Sequence, residues 1–406
     1  MGFASARLWM AVAGLLFVAV GCGGNAGASV SQSTAAVRVT TTAGTLALTP
    51  DSAGQRRLDD ARMLAGAPGA VAVLRNGGGE WTGVSGEADL DGTELKDTTR
   101  FRVGGITESV LAVLVLDAVA RGQLSLDALV SDLLPGTVLP APPMSPDQPM
   151  TVRMLLDHTS GLFNAGAESD LTLDVTKLTD PAVQREAAVL AADYLSGEPV
   201  SLPAHVYVAL AMTHPRYFPP GTGFHFSDAN SQLAGMVLER VTGTPLPDLL
   251  RERIVQPLGL LHTTMTPYDQ RLPQMRGYAP LRDGTLADRT RDLLALGNGA
   301  SEGVLSTAGE LLTFMQVTAA GMLLPPELVL GMKMGTMQSG GSYGLGLSTY
   351  QLSCGTFYGQ AGAVGGTQSI ALVANDGQSG VVIAMNVIQD DSGALLMLAE
   401  SMLCES

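Results

Sequence analysis

The chain has 406 residues, 46% of them hydrophobic, and a formal net charge of -15. That length suits one large domain, or two lobes sharing a cleft. The excess of 38 acidic over 23 basic residues argues against nucleic acid or an anionic lipid surface as a partner, and is read as keeping an exported protein soluble.

Arg7, the apolar run 8–20 and the small residues before Cys22 read as an export signal over 1–21, too short for a comfortable membrane span. Ala19-Val20-Gly21-Cys22 looks like a bacterial lipobox, in which Cys22 becomes the lipidated N-terminus. The alternative is an ordinary secretory signal with a chance cysteine. The lipid would tether an exported protein to a bacterial membrane, on its periplasmic or outer face, without a transmembrane helix. Residues 22–55, rich in Gly, Ala, Ser and Thr, read as a flexible tether.

Beyond the tether, residues 69–74 and 81–84 predict a hairpin around Asn76-Gly77. Residues 369–374 and 380–385 predict another, turned at Asn375-Asp376-Gly377. Strands from both ends of the chain would thus build one antiparallel sheet. The expected architecture is α/β, of the α+β kind: a sheet lobe over about 56–104 and 285–406, with a helical lobe over about 105–284 inserted in it. Residues 163–215 are read as a variable helical insertion over the mouth of the cleft. If Cys22 carries lipid, Cys354 and Cys404 remain as an even pair in an oxidising compartment, which favours a disulfide over two buried thiols.

Between the lobes runs Phe101-Arg102-Val103-Gly104-Gly105-Ile106-Thr107-Glu108-Ser109, leading into an apolar helix over 110–120. Further on come His158-Thr159-Ser160-Gly161-Leu162, then Phe218-Pro219-Pro220-Gly221-Thr222, then Gln256-Pro257-Leu258-Gly259-Leu260. Gly303-Val304-Leu305-Ser306-Thr307-Ala308 and Tyr343-Gly344-Leu345-Gly346 follow in the same order. These segments, over roughly 65–395, resemble the penicillin-recognising serine hydrolases: class C β-lactamases, D-Ala-D-Ala carboxypeptidases and related esterases. The resemblance implies a β-lactamase/transpeptidase-like fold, serine hydrolase chemistry and no cofactor or metal.

The resemblance also implies three catalytic elements, and each departs here. A Ser-x-x-Lys pairs a serine with a base one helical turn away, because a hydroxyl is a poor nucleophile alone; those positions are Gly105 and Glu108. The residues three before the three lysines, Lys96, Lys177 and Lys333, are Thr93, Asp174 and Leu330, so no other register restores the motif. A Tyr-x-Asn, whose phenol shares the general-base work, becomes Phe226-Ser227-Asp228. A Lys-Thr-Gly or His-x-Gly becomes Gln360-Ala361-Gly362, keeping only the glycine. With Glu108 and Asp228 where a lysine and an asparagine were, the pocket would repel a carboxylate substrate.

The expectation is a non-catalytic envelope lipoprotein that keeps the fold to bind or scaffold an unidentified envelope ligand or protein. The alternative is an active esterase, peptidase or β-lactamase-like enzyme with a rebuilt site. Gly340-Gly341-Ser342-Tyr343-Gly344 fits a nucleophile elbow in letters only, since it enters a strand and not a helix. Ser109 is read as a packed helical serine, and Glu108 with Asp228 as a carboxylate pair less suited to acid/base or metal work than to a drifted pocket. His158 is assigned to a structural turn, and His225 is taken as the one histidine near the cleft.

Overall fold

The computed structural model describes residues 53–77, 79–135, 149–165, 175–195, 202–265, 274–291, 299–389 and 393–405, all within a single unit spanning 42–406. The expected signal 1–21, Cys22 and the tether up to residue 52 lie outside the described residues, as do 166–174 and 196–201 of the expected insertion.

In chain order the strands are β1 (Gly69–Asn76), β2 (Gly79–Gly86), β3 (Phe101–Arg102), β4 (Thr264–Met265), β5 (Tyr278–Pro280) and β6 (Leu286–Asp288). They continue with β7 (Val304–Ser306), β8 (Ser348–Leu352), β9 (Gly355–Val364), β10 (Thr367–Ala374) and β11 (Gly380–Met385). The main sheet has the order β2-β1-β11-β10-β9-β8, antiparallel throughout, so N- and C-terminal strands meet where Val71 faces Ala384. Strands β3, β7 and β4 form a small second sheet.

The helices are α1 (Ala53–Ala65), α2 (Thr107–Ala120), α3 (Val130–Leu133), α4 (Val152–Leu156), α5 (Pro181–Leu195) and α6 (Ala204–Met212). They are followed by α7 (Asp228–Thr242), α8 (Leu246–Leu250), α9 (Gln256–Leu258), α10 (Ala308–Ala319), α11 (Pro326–Lys333) and α12 (Gly393–Cys404).

Strand periodicity explains the layers. Along β1, β10 and β11 the side chains alternate between two cores. Val71, Val73, Ala371, Val373, Val382 and Ala384 join the larger core with α2 and α10. Ala70, Ala72, Leu74, Ile370, Leu372, Val381 and Ile383 join the smaller one under α1 and α12. Strands apolar on both faces need helices on both sides, and they have them. Helix α2 is apolar almost all round and correspondingly buried from Thr107 to Leu116.

Cys354, in the turn between β8 and β9, is joined to Cys404 at the end of α12, with the two Cα atoms 5.3 Å apart. The bond ties the last helix to the sheet edge. In the expected insertion, α6 is buried along its length in the larger core and packs on α7. It belongs to the helical lobe's core, with all but His205 and Met212 buried and Tyr207 facing Asp228.

Candidate functional site

The site is built where β9 runs past the turn that starts α2. A 3-10 turn, Gly104–Ile106, precedes the helix, and Gly104 takes a left-handed φ of 58°. A Cβ on Gly104 would lie 2.6 Å from the Ala363 nitrogen, and one on Gly362 would lie 2.1 Å from the Val103 oxygen. Only glycine permits this approach. Gly362 thus has a packing reason to be glycine that owes nothing to substrate. A Cβ on Gly105 would meet the Ala361 oxygen at 3.1 Å and nothing else closer than 3.9 Å. The side chain missing at 105 is one the backbone has nearly enough room for.

One turn on, Glu108 is 4% exposed and faces away from solvent. Its Oε1 accepts from the Ser231 hydroxyl at 2.5 Å, and its Oε2 lies 3.2 Å from His158 Nε2. His158 Nδ1 faces two donors, the Asn230 side-chain amide at 2.9 Å and the Ser227 backbone N–H at 3.3 Å. Asn230 is oriented by Ser160, which donates to its oxygen. With Nδ1 turned to these two donors, Nε2 is the nitrogen that faces Glu108. His158 itself sits at a φ of 55°, a strained turn position for a non-glycine residue.

The expected turn histidine is therefore also the imidazole of the site. His225, taken as the cleft histidine, is instead exposed: its Nδ1 donates to the Phe226 oxygen at 2.7 Å and its ring stacks on Tyr217 at 3.7 Å. The sequence hid this because residues 158 and 225 are joined only through folding, where the His225 N–H bonds the His158 oxygen.

Asp228 opens α7, with Ser227 as its N-cap accepting from the Ala229 N–H at 3.3 Å. A helix N-terminus favours a carboxylate. Here burial and then the neighbouring Glu108 prevail, pushing the Asp228 carboxyl up to about 7, against the opposing pull of His158 and the Tyr207 hydroxyl. Its Oδ1 is buried and has no hydrogen-bond partner among the described residues. Glu302, in the turn before β7, is raised well above its ordinary value by burial, Asp228 and Glu108, with Arg102 pulling the other way. The expected pair of carboxylates is a trio, contributed by α2, α7 and the turn before β7. Among the described residues no group of three His, Cys, Asp or Glu side chains is placed to hold a metal ion.

On the other wall, Gln360 donates to the Tyr343 oxygen at 3.2 Å and accepts from Ser348 at 3.0 Å. Both ends of its amide are engaged in the wall. Burial, then Glu108, hold the Tyr343 hydroxyl well above its usual range, so this phenol stays protonated and is no base. The ring of Phe226 packs on His158 at 4.8 Å while the residue remains 37% exposed at the rim.

Three serines are near enough to weigh as nucleophiles. Ser109 is fully buried and donates to the Gly346 oxygen at 2.7 Å. Ser342 lies in a turn entering β8, bonded to the Ser339 oxygen at 2.7 Å. Ser231 touches Glu108, but His158 meets the far oxygen of that carboxylate and not the serine. In a working triad the imidazole contacts the hydroxyl and the carboxylate orients the imidazole; this order is inverted. Sequence reasoning missed Ser231, Glu302, Tyr207 and Tyr343. Ser231 alone left a signal, three residues after Asp228 on one helix face.

An antiparallel sheet with an inserted helical lobe, and a helix opening against the glycine-bearing strand β9, defines the class of the penicillin-recognising serine hydrolases. The chain belongs to the beta-lactamase family, whose sequence model matches residues 56–396. It is similar to esterase EstB of Burkholderia gladioli, 32% identical over 54% of this chain and 51% of the esterase, so the chain spans about half of that relative's length. It is 28% identical to penicillin-binding protein 4 of Amycolatopsis lactamdurans over 82% of this chain and 83% of that protein. Among solved structures it resembles a D-stereospecific amidohydrolase from Streptomyces sp., with 30% identity, a TM-score of 0.69, and coverage of 87% of this chain and 98% of that one.

Proposed function

We propose that this protein is a non-catalytic member of the beta-lactamase family, exported and lipid-anchored through Cys22, that uses the former catalytic cleft as a binding or scaffolding surface at the cell envelope. The observation that carries the reading is Gly105. It stands at the mouth of α2, against β9, with no side chain to acylate, and the residue one turn on is a carboxylate already bonded to Ser231 and His158. A triad-like unit loses nearly all its rate when one member goes. Here the serine, lysine, tyrosine and histidine or lysine positions read Gly105, Glu108, Phe226 and Gln360.

The relatives' names span an esterase and a D-stereospecific amidohydrolase, so a rebuilt site would act on an ester or an amide. A fluorophosphonate probe separates the readings. The non-catalytic reading expects an unlabelled protein; a labelled serine, located by peptide mapping, makes it a rebuilt hydrolase. Globomycin-sensitive processing and a lipid-modified Cys22 peptide are the expected signatures of the anchor, and a mature protein cleaved elsewhere and released removes it.

A further inference from the structure

Three carboxyls from separate parts of the chain act on one another at the cleft, and one oxygen of the central one lacks a hydrogen-bond partner among the described residues. Asp228 is 4% exposed, its Oδ1 has no hydrogen-bond partner among the described residues, and it interacts electrostatically with both Glu108 and Glu302. Such an orphaned acceptor costs folding energy unless something occupies it. His158 and Arg102 border the group, His158 against Glu108 and Arg102 drawing on Glu302. The groups are not placed for a metal among the described residues. At the rim stands the exposed face of Phe226, which with Phe224 and Tyr343 makes a set of rings around His158 at 4.8, 6.3 and 5.1 Å. Beside them Gly105 carries no side chain, and the Ala361 oxygen lies 3.1 Å from where its Cβ would be. Carboxylates flanked by aromatic faces are the chemistry that recognises an organic cation.

We propose that the charge-inverted cleft binds a small organic ammonium ion, its cationic head at Asp228, Glu108 and Glu302 and its apolar body against Phe226. This rests on the non-catalytic reading above, since a rebuilt hydrolase would use the same walls for chemistry. Binding would be tied to proton release. The groups facing Asp228 are Glu108 on α2, His158 after α4, Tyr207 on α6 and Glu302 before β7, with Arg102 on β3 opposing Glu302. The cation favours the ionised carboxyl, so affinity rises with pH through about 7.

The test is calorimetric titration of the folded protein with phenethylammonium, against 2-phenylethanol and phenylacetate as neutral and anionic counterparts. The ammonium is expected to bind about tenfold or more tightly than either, and more tightly at about pH 8 than at about pH 6. Asp228→Asn is expected to weaken it about tenfold without lowering Tm, which separates lost recognition from lost folding, and Phe226→Ala to weaken it less. Equal affinity for the three ligands, no binding of the ammonium, or full binding by Asp228→Asn overturns the proposal. Covalent fluorophosphonate labelling overturns the non-catalytic reading instead, so the two failures are told apart.

Discussion

The contact between Gly104 and Gly362 and the pocket around Glu108, a single helical turn away, follow opposite rules. At the first, backbone meets backbone so closely that a Cβ at 362 would lie 2.1 Å from the Val103 oxygen. At the second, Glu108, Asp228 and Glu302 crowd together and Asp228 is driven toward its neutral form. The first region is fixed by sterics and tolerates only glycine. The second carries electrostatic strain that the scaffold supports. Within one turn of chain, packing and electrostatics are thus held by different atoms.

The comparison can be broken from either side. The largest effect is expected at the scaffold's covalent tie: reducing Cys354–Cys404, which closes a sequence separation of 50 residues, costs about 4 kcal/mol by the chain-entropy relation. Denaturant unfolding with and without reductant measures it. Gly362→Ala is next, expected to cost about 3 kcal/mol because the added methyl meets a carbonyl held by strand and turn. An unchanged unfolding midpoint would remove the packing explanation for that glycine.

Pocket substitutions should be smaller or opposite in sign. Asp228 has a folded value of about 7 against an ordinary 3.8, so its contribution is fully present below about pH 4 and lost as pH rises through 7. Stability at pH 8 should accordingly fall below that at pH 5 by on the order of 2–3 kcal/mol from this group. Asp228→Asn should flatten that part of the profile and raise the midpoint at pH 8; a profile unaltered by the substitution would mean that Asp228 is not strained. The smallest effect is expected for Gly105→Ser, whose Cβ at 3.1 Å from the Ala361 oxygen asks only a slight shift, within about 1 kcal/mol of the parent.

Much of the frame was legible from the sequence. The short apolar runs 69–74, 369–374 and 380–385, bounded by turn residues, and the longer run 110–120 forecast the sheet and its central helix, because each is apolar on every side and is buried accordingly. The positions of Gly105, Glu108, Phe226, Asp228, Gln360 and Gly362 were legible through the resemblance. What they touch was not. That Glu108 would bond His158 and Ser231 depends on how α2, α7 and the turn after α4 pack, and that Glu302 completes the acidic group depends on the turn before β7. No periodicity encodes a meeting of side chains 50 or more residues apart. The place of helix α6 was illegible for the same reason: its segment matched no motif, and its apolar residues join the core.

The central claim, a beta-lactamase fold without acyl transfer, is tested most directly by the intact mass of the purified protein after incubation with a labelled β-lactam. The account predicts the unmodified mass at every incubation time. A stable mass increase equal to the opened β-lactam, lost only on hydrolysis, would contradict it.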